Sequence, residues 1–156
     1  NTTSYENVGT TPLDGLELSA SGKLTEQWQV FAGYAYMDGK QVDGGDVNKA
    51  NDGNQLPNTP RNSASLWTTY NVTPKLTLGG GAFYVDDVFG SAANTTMVDS
   101  YVRYDAMASY KLTKNVDLQL NVQNLTDERY YDKAFSTHFA NQAPGRTALI
   151  STNFHF

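Results

Sequence analysis

Cysteine is absent from the 156 residues, which excludes a disulfide framework, a thiolate metal site and a cysteine nucleophile, and suits an oxidising compartment. Charge is scarce, at 17% of residues against about 25% in ordinary soluble domains. What charge there is leans acidic, with 11 Lys and Arg against 16 Asp and Glu and a net charge of −5. No basic cluster is present to neutralise a phosphate backbone, so nucleic acid is excluded as a partner. Long apolar runs are missing too. None approaches the 18 or so residues of a membrane helix. The first twenty residues have neither the basic start nor the apolar stretch of a signal peptide, so a secreted chain is expected to be mature or a fragment. In place of charge the chain carries Tyr, Thr, Ser, Asn and Gly, with aromatics at 12%. Its length fits one domain at about 150 residues each.

Helical periodicity is hard to find, whereas strict alternation recurs. Val116, Leu118, Leu120 and Val122 alternate with Asp117, Gln119, Asn121 and Gln123, so a strand here has one aliphatic and one polar face. The last eleven residues repeat the pattern, with Ala148, Ile150, Thr152, Phe154 and Phe156 on one side. Five more segments follow it, at residues 13–24, 28–37, 62–72, 76–85 and 101–112. The expectation is an all-β chain of about seven antiparallel strands.

The connections sort by length. Thr25-Glu26-Gln27, Thr73-Pro74-Lys75 and Thr113-Lys114-Asn115 are tight, whereas residues 38–61, 86–100 and 124–145 are long and polar. Short turns at one rim and long loops at the other, joining strands of about ten residues that are apolar outward and polar inward, describe an outer-membrane barrel. Aromatics agree. Trp28, Tyr70, Tyr110 and Phe156 lie near the short turns or the C-terminus, and Tyr34, Tyr36, Tyr84 and Tyr104 toward the long loops, as two interfacial girdles. A soluble sandwich or lipocalin-like barrel is the alternative, but its second face would carry too many Asn, Gln, Ser and Thr.

Several stretches carry a resemblance: Tyr5-Glu6-Asn7-Val8-Gly9 followed by Gly15-Leu16-Glu17-Leu18; Leu56-Pro57-Asn58-Thr59-Pro60-Arg61 leading into Ser65-Leu66-Trp67-Thr68-Thr69-Tyr70; Gly79-Gly80-Gly81; Tyr104-Asp105-Ala106-Met107-Ala108-Ser109-Tyr110; and the run from Leu118 through Asn124-Leu125-Thr126-Asp127-Glu128-Arg129 to Tyr131. With Ala143-Pro144-Gly145-Arg146 and the closing Phe156, the chain resembles the C-terminal barrel region of TonB-dependent siderophore receptors, closest to the catecholate branch. The resemblance implies a bacterial outer-membrane location and a segment of a 22-stranded barrel. It also implies import of a ferric siderophore as substrate, with no resident cofactor. The implied partners are outer-membrane lipid, the TonB complex acting through an N-terminal plug not seen here, the barrel assembly machinery, and the remaining strands of the same barrel. An odd strand count cannot close antiparallel on itself, so residues 1–156 are expected to be one wall segment of a larger barrel. The alternatives are an autonomous fragment that self-assembles through open strand edges, and a passive porin or adhesin barrel.

No catalytic constellation is found, and no enzyme is expected. His138 and His155 lie far apart, and no His/Asp/Ser set, phosphate loop or metal-spaced cluster accompanies them. The acidic stretch Asp43-Gly44-Gly45-Asp46-Val47-Asn48 lacks the spaced ligands of a calcium loop, so no metal site is expected. A ferric tris-catecholate is a flat-faced anion that favours cations and stacking rings. The last long connection offers most of these in Arg129, Tyr130, Tyr131, Lys133, Phe135, His138, Phe139 and Arg146. The bland alternative places Tyr130 and Tyr131 in the girdle and pairs Arg129 with Asp127 or Asp132. Lys40 and Arg61 are weaker candidates. Arg103 and Asp105, charges on an inward face, would seat the plug or pair with each other. Ile150, Thr152, Phe154 and Phe156 form an alternating terminal strand of the kind read by the assembly machinery, or simply anchor in the girdle.

Overall fold

Alternation at period two leaves the backbone only one economical arrangement. Each strand must find a neighbour for its amide groups while keeping its apolar set on a common side. The computed structural model describes residues 11–42, 49–134 and 138–155. Tyr5 to Gly9, Asp43 to Asn48, Phe135 and Phe156, all named above, lie outside the described residues.

Eleven strands are described. They are β1 (Leu13–Lys23), β2 (Trp28–Gly39), β3 (Asn62–Asn71), β4 (Leu76–Val85), β5 (Val88–Phe89), β6 (Met97–Val98), β7 (Tyr101–Lys111), β8 (Val116–Gln123), β9 (Tyr131–Ala134), β10 (Ala140–Gln142) and β11 (Thr147–Phe154). Seven form one antiparallel sheet in the order β1-β2-β3-β4-β7-β8-β11. The four short strands were not anticipated. They make two small ribbons, β5 with β6 and β9 with β10, within long connections, and segments of two to four residues are too short to show a period.

Register is the decisive feature. Leu18 pairs with Tyr34, Tyr34 with Ala64, Ala64 with Tyr84, and Tyr84 with Val102. Farther on, Ala106 pairs with Val122 and Val122 with Ala148. Every apolar set is even-numbered, and the register brings them all to one face. Leu16, Leu66, Ile150 and Phe154 stand exposed on it. Girdle rings find polar partners beside them: Trp28 Nε1–H donates to Thr68 Oγ1 at 2.6 Å and the Tyr34 hydroxyl to Asn62 Oδ1 at 2.7 Å.

The three short turns share one construction. Thr25 Oγ1 accepts the Gln27 and Trp28 amides, Thr73 Oγ1 those of Lys75 and Leu76, and Thr113 Oγ1 that of Asn115. A threonine hydroxyl that satisfies the turn amides closes each hairpin locally.

Buried apolar side chains are few because a barrel wall has no interior of its own. Among the described residues the core is a small cluster of Val88, Val98 and Ala134 under the long loops. The outer strands β1 and β11 each pair on one side only, and they run in the same direction, so this sheet does not close on itself.

Candidate ligand-binding loops

All three long connections leave the same end of the sheet, and asparagines tie them together. Asn58, Asn94 and Asn124 each have a φ of 52°, a left-handed conformation that asparagine tolerates because its short carboxamide bonds nearby backbone. Asn58 Nδ2 donates to the Ala134 carbonyl at 2.8 Å, and the Ala134 amide donates back to Asn58 Oδ1 at 2.9 Å. That reciprocal pair joins the first loop to the third. Asn94 does the same between the second loop and the first: the Gln55 amide donates to its Oδ1 at 2.8 Å and its Nδ2 to the Gln55 carbonyl at 2.9 Å.

Asn124 is 1% exposed and clamps the base of the third loop. Its carboxamide accepts the Glu128 amide and donates to the Glu128 and Pro144 carbonyls. The adjoining Asp127 Oδ1 accepts the Arg146 amide at 2.7 Å, which brings the two ends of the loop together. At the second loop, Asn62 Nδ2 donates to Asp86 at 2.8 Å and holds that carboxyl below the usual carboxylate range.

Below the loops a polar and aromatic strip lines the inward face. Arg103 Nη2 pairs with Asp105 Oδ2 at 2.9 Å, and Asp105 Oδ1 accepts the Asn124 amide. The Arg103 guanidinium lies 4.9 Å from the centre of the Phe83 ring, and Trp67 follows at 6.5 Å between ring centres. Mutual pairing of Arg103 and Asp105 is therefore realised in this wall.

The candidate residues of the third loop separate. Tyr130 is buried and stacks on Tyr101 at 4.0 Å beside Arg103. It neither faces solvent nor joins the outer girdle. Arg146 spends its side chain near the Leu125 carbonyl, at 3.4 Å. Arg129 and Lys133 are exposed, and Arg129 makes no ion pair with Asp127 or Asp132. Asp132 instead accepts from Asn141 at 2.7 Å. Tyr131, His138 and Phe139 come together with Met97, Val98 and Asp99 of the second loop around a cavity of about 280 Å³. Phe139 is 73% exposed there. Neither Met97 nor Asp99 was legible as a site residue, because nothing in the sequence says which loop meets which. The asparagine clasps were equally hidden: Asn58 reads as a turn residue, and its partner lies 76 positions away.

On the last strand Ile150 and Phe154 are exposed on the even face and β11 is an edge. His155 Nε2 lies 3.0 Å from Asp117 Oδ2, and Asn115 Nδ2 donates to the His155 carbonyl, which pins the strand end to the short-turn rim.

A family model described as TonB dependent receptor-like, beta-barrel, matches residues 1–125. The chain belongs to the TonB-dependent receptor family. The probable TonB-dependent siderophore receptor PiuA of Acinetobacter baumannii is 48% identical over 99% of this chain and 22% of its own length. The catecholate siderophore receptor Fiu of Escherichia coli K12 is 33% identical over 97% of this chain and 20% of its own. In solved structures the PiuA receptor superposes with a TM-score of 0.83 over 95% of this chain and 22% of that one, and closed-form Fiu with 0.79 over 95% and 21%. The chain thus spans about a fifth of the length of these relatives. They are receptors for transport rather than enzymes. TonB-dependent receptor barrels stand in the outer membrane of Gram-negative bacteria, so the even face of this wall meets lipid and the odd face lines the lumen.

Proposed function

We propose that this chain, as one continuous wall unit, supplies strands and external loops to a receptor that captures ferric siderophores, catecholates foremost. Import would be driven by energy delivered through TonB. The observation that carries this reading is the loop cluster: three long connections, joined by asparagine clasps, stand over the lumen end of a wall closely related to siderophore receptors.

The chemistry fits a flat-faced anion. Tyr131, His138 and Phe139 offer rings around the cavity between the second and third loops, and Arg129 and Lys133 offer exposed cations with no ion pair among the described residues. Tyr130 serves by burial, as the post on which this loop rests. The family's plug would meet TonB and seat against the Arg103 and Asp105 strip, and further strands of the same barrel would pair with the edges of β1 and β11. Ile150, Thr152, Phe154 and Phe156 would present the terminal strand to the barrel assembly machinery.

Deleting the gene should abolish growth on ferric catecholate as sole iron source, and restoring it should rescue growth. Unchanged uptake in the deletion strain rejects the reading. In the restored strain, combined Arg129→Ala and Lys133→Ala should weaken binding of a ferric tris-catecholate about tenfold through two lost charge-assisted contacts, and leave a neutral chelate unaffected.

A further inference from the structure

The three adjacent glycines of β4 do not have the same reason to be glycine. A Cβ on Gly81 would strike the Leu66 carbonyl oxygen and come within 2.6 Å of Trp67 Cε3. On Gly79 it would lie 3.2 Å from both Trp67 Cζ2 and Met107 Cε. Those two positions face the lumen, and their missing side chains give room to the Trp67 indole. Gly80 points the other way. A Cβ there would have as its nearest neighbour the Asp105 carbonyl oxygen at 3.5 Å, an ordinary contact, and its φ is not in the left-handed region. Packing does not require glycine at this position, and glycine weakens a strand.

What the missing side chain does is leave a groove of about 390 Å³ on the lipid face. Gly79, Gly80 and Thr68 form its floor, and Trp28, Tyr70 and Leu78 its walls. The polar atoms around it are already satisfied: Trp28 Nε1–H donates to Thr68 Oγ1, and the Thr68 hydroxyl to the Gln29 carbonyl at 2.9 Å. The groove therefore offers an almost wholly apolar surface. It is continuous with the lipid-facing wall and lies in its short-turn half, where Trp28 and Tyr70 belong to the interfacial girdle. The turn that joins β3 to β4 carries Lys75, exposed and without an ion pair among the described residues.

We propose that this groove is a binding site for one acyl chain of a phospholipid of the periplasmic leaflet, with the lipid phosphate meeting Lys75. Short turns face the periplasm in outer-membrane barrels, and that places the groove and Lys75 at the depths of the acyl chains and headgroups of that leaflet. Association here comes from close packing and from charge, because any lipid tail is as apolar as its competitors.

The test uses the full receptor that contains this chain, purified from outer membranes and examined by native mass spectrometry with added phosphatidylglycerol or phosphatidylethanolamine. The wild-type receptor retains a phospholipid adduct. Gly80→Leu, which fills the floor, lowers retention about tenfold by removing the close-packed contacts with the acyl chain. Gly80→Ala lowers it less, and Lys75→Gln about fivefold, as for one basic residue at an anionic surface. Heat-modifiable mobility on gels checks that each variant is a folded barrel. Should Gly80→Leu fail to fold, Gly80→Ala, whose Cβ has room, decides. Undiminished adducts in folded Gly80 variants overturn the proposal. So does retention of lipid A instead of phospholipid, or a groove covered by a second copy of the receptor. The proposal needs only the lipid-facing wall, so its failure leaves the import reading untouched, and the converse also holds.

Discussion

Asn58 shows how much a single residue can carry in a wall with almost no core. It adopts a backbone conformation that most side chains resist, and its carboxamide bonds both the amide and the carbonyl of Ala134. Asn58→Ala loses both hydrogen bonds and adds backbone strain, whereas Asn58→Gly loses the bonds alone. The loss of the pair should cost about 1–3 kcal/mol locally, read as faster exchange of the Ala134 amide by about tenfold or more. Equal exchange in Asn58→Gly and the wild type would show that the clasp does not hold the third loop. The glycines of β4 make a second case at this scale. Gly81→Ala should destabilise the folded barrel by about 1–3 kcal/mol, because the Leu66 carbonyl and Trp67 cannot both give way. Gly80→Ala should leave urea unfolding in lipid vesicles within about 0.5 kcal/mol of the wild type or slightly improve it.

At the scale of the strand, parity decides the environment of every side chain. Ala106 and Asn121 sit on the neighbouring strands β7 and β8, yet Ala106 is even and faces lipid while Asn121 is odd and faces the lumen. Arginine at position 106 should cost about 2–4 kcal/mol near the bilayer midplane. At position 121 it should be nearly neutral, since the lumen is polar. Urea unfolding of the receptor in vesicles measures both, and equal costs would mean that the faces are assigned the wrong way round. The short turns belong to the same scale. Each hairpin is closed by one threonine hydroxyl, so the register of the strands it joins is set locally, independently of the long loops.

For the molecule as a whole, the seven-stranded sheet with two unpaired edges is a wall, and a wall in lipid must be completed by more strands. The native polypeptide that carries this sequence is expected to have about four to five times the 17.1 kDa of these residues, as its share of the relatives implies. An intact mass of 17.1 kDa from outer membranes would point instead to assembly of copies through the edges of β1 and β11. Charge is also distributed by end. Lys23, Lys75, Lys111 and Lys114 gather at the short turns, while Lys40, Lys49, Lys133 and all four arginines lie in or beside the long connections, so arginine is confined to the long-loop end.

The sequence by itself determined the strands, their faces and the sorting of loops by length, because period-two alternation is a local signal that lipid and lumen impose on every residue. Val116 to Val122 shows it without any neighbour in view. Tertiary structure alone decided what the loops do. It buried Tyr130 against Tyr101, left Arg129 exposed with no ion pair among the described residues, gave Tyr131, His138 and Phe139 a shared cavity with Met97 and Asp99, and joined Asn58 to Ala134. Those outcomes depend on contacts between segments tens of residues apart, whose meeting is set by the register of the strands beneath them and leaves no period in the loops themselves.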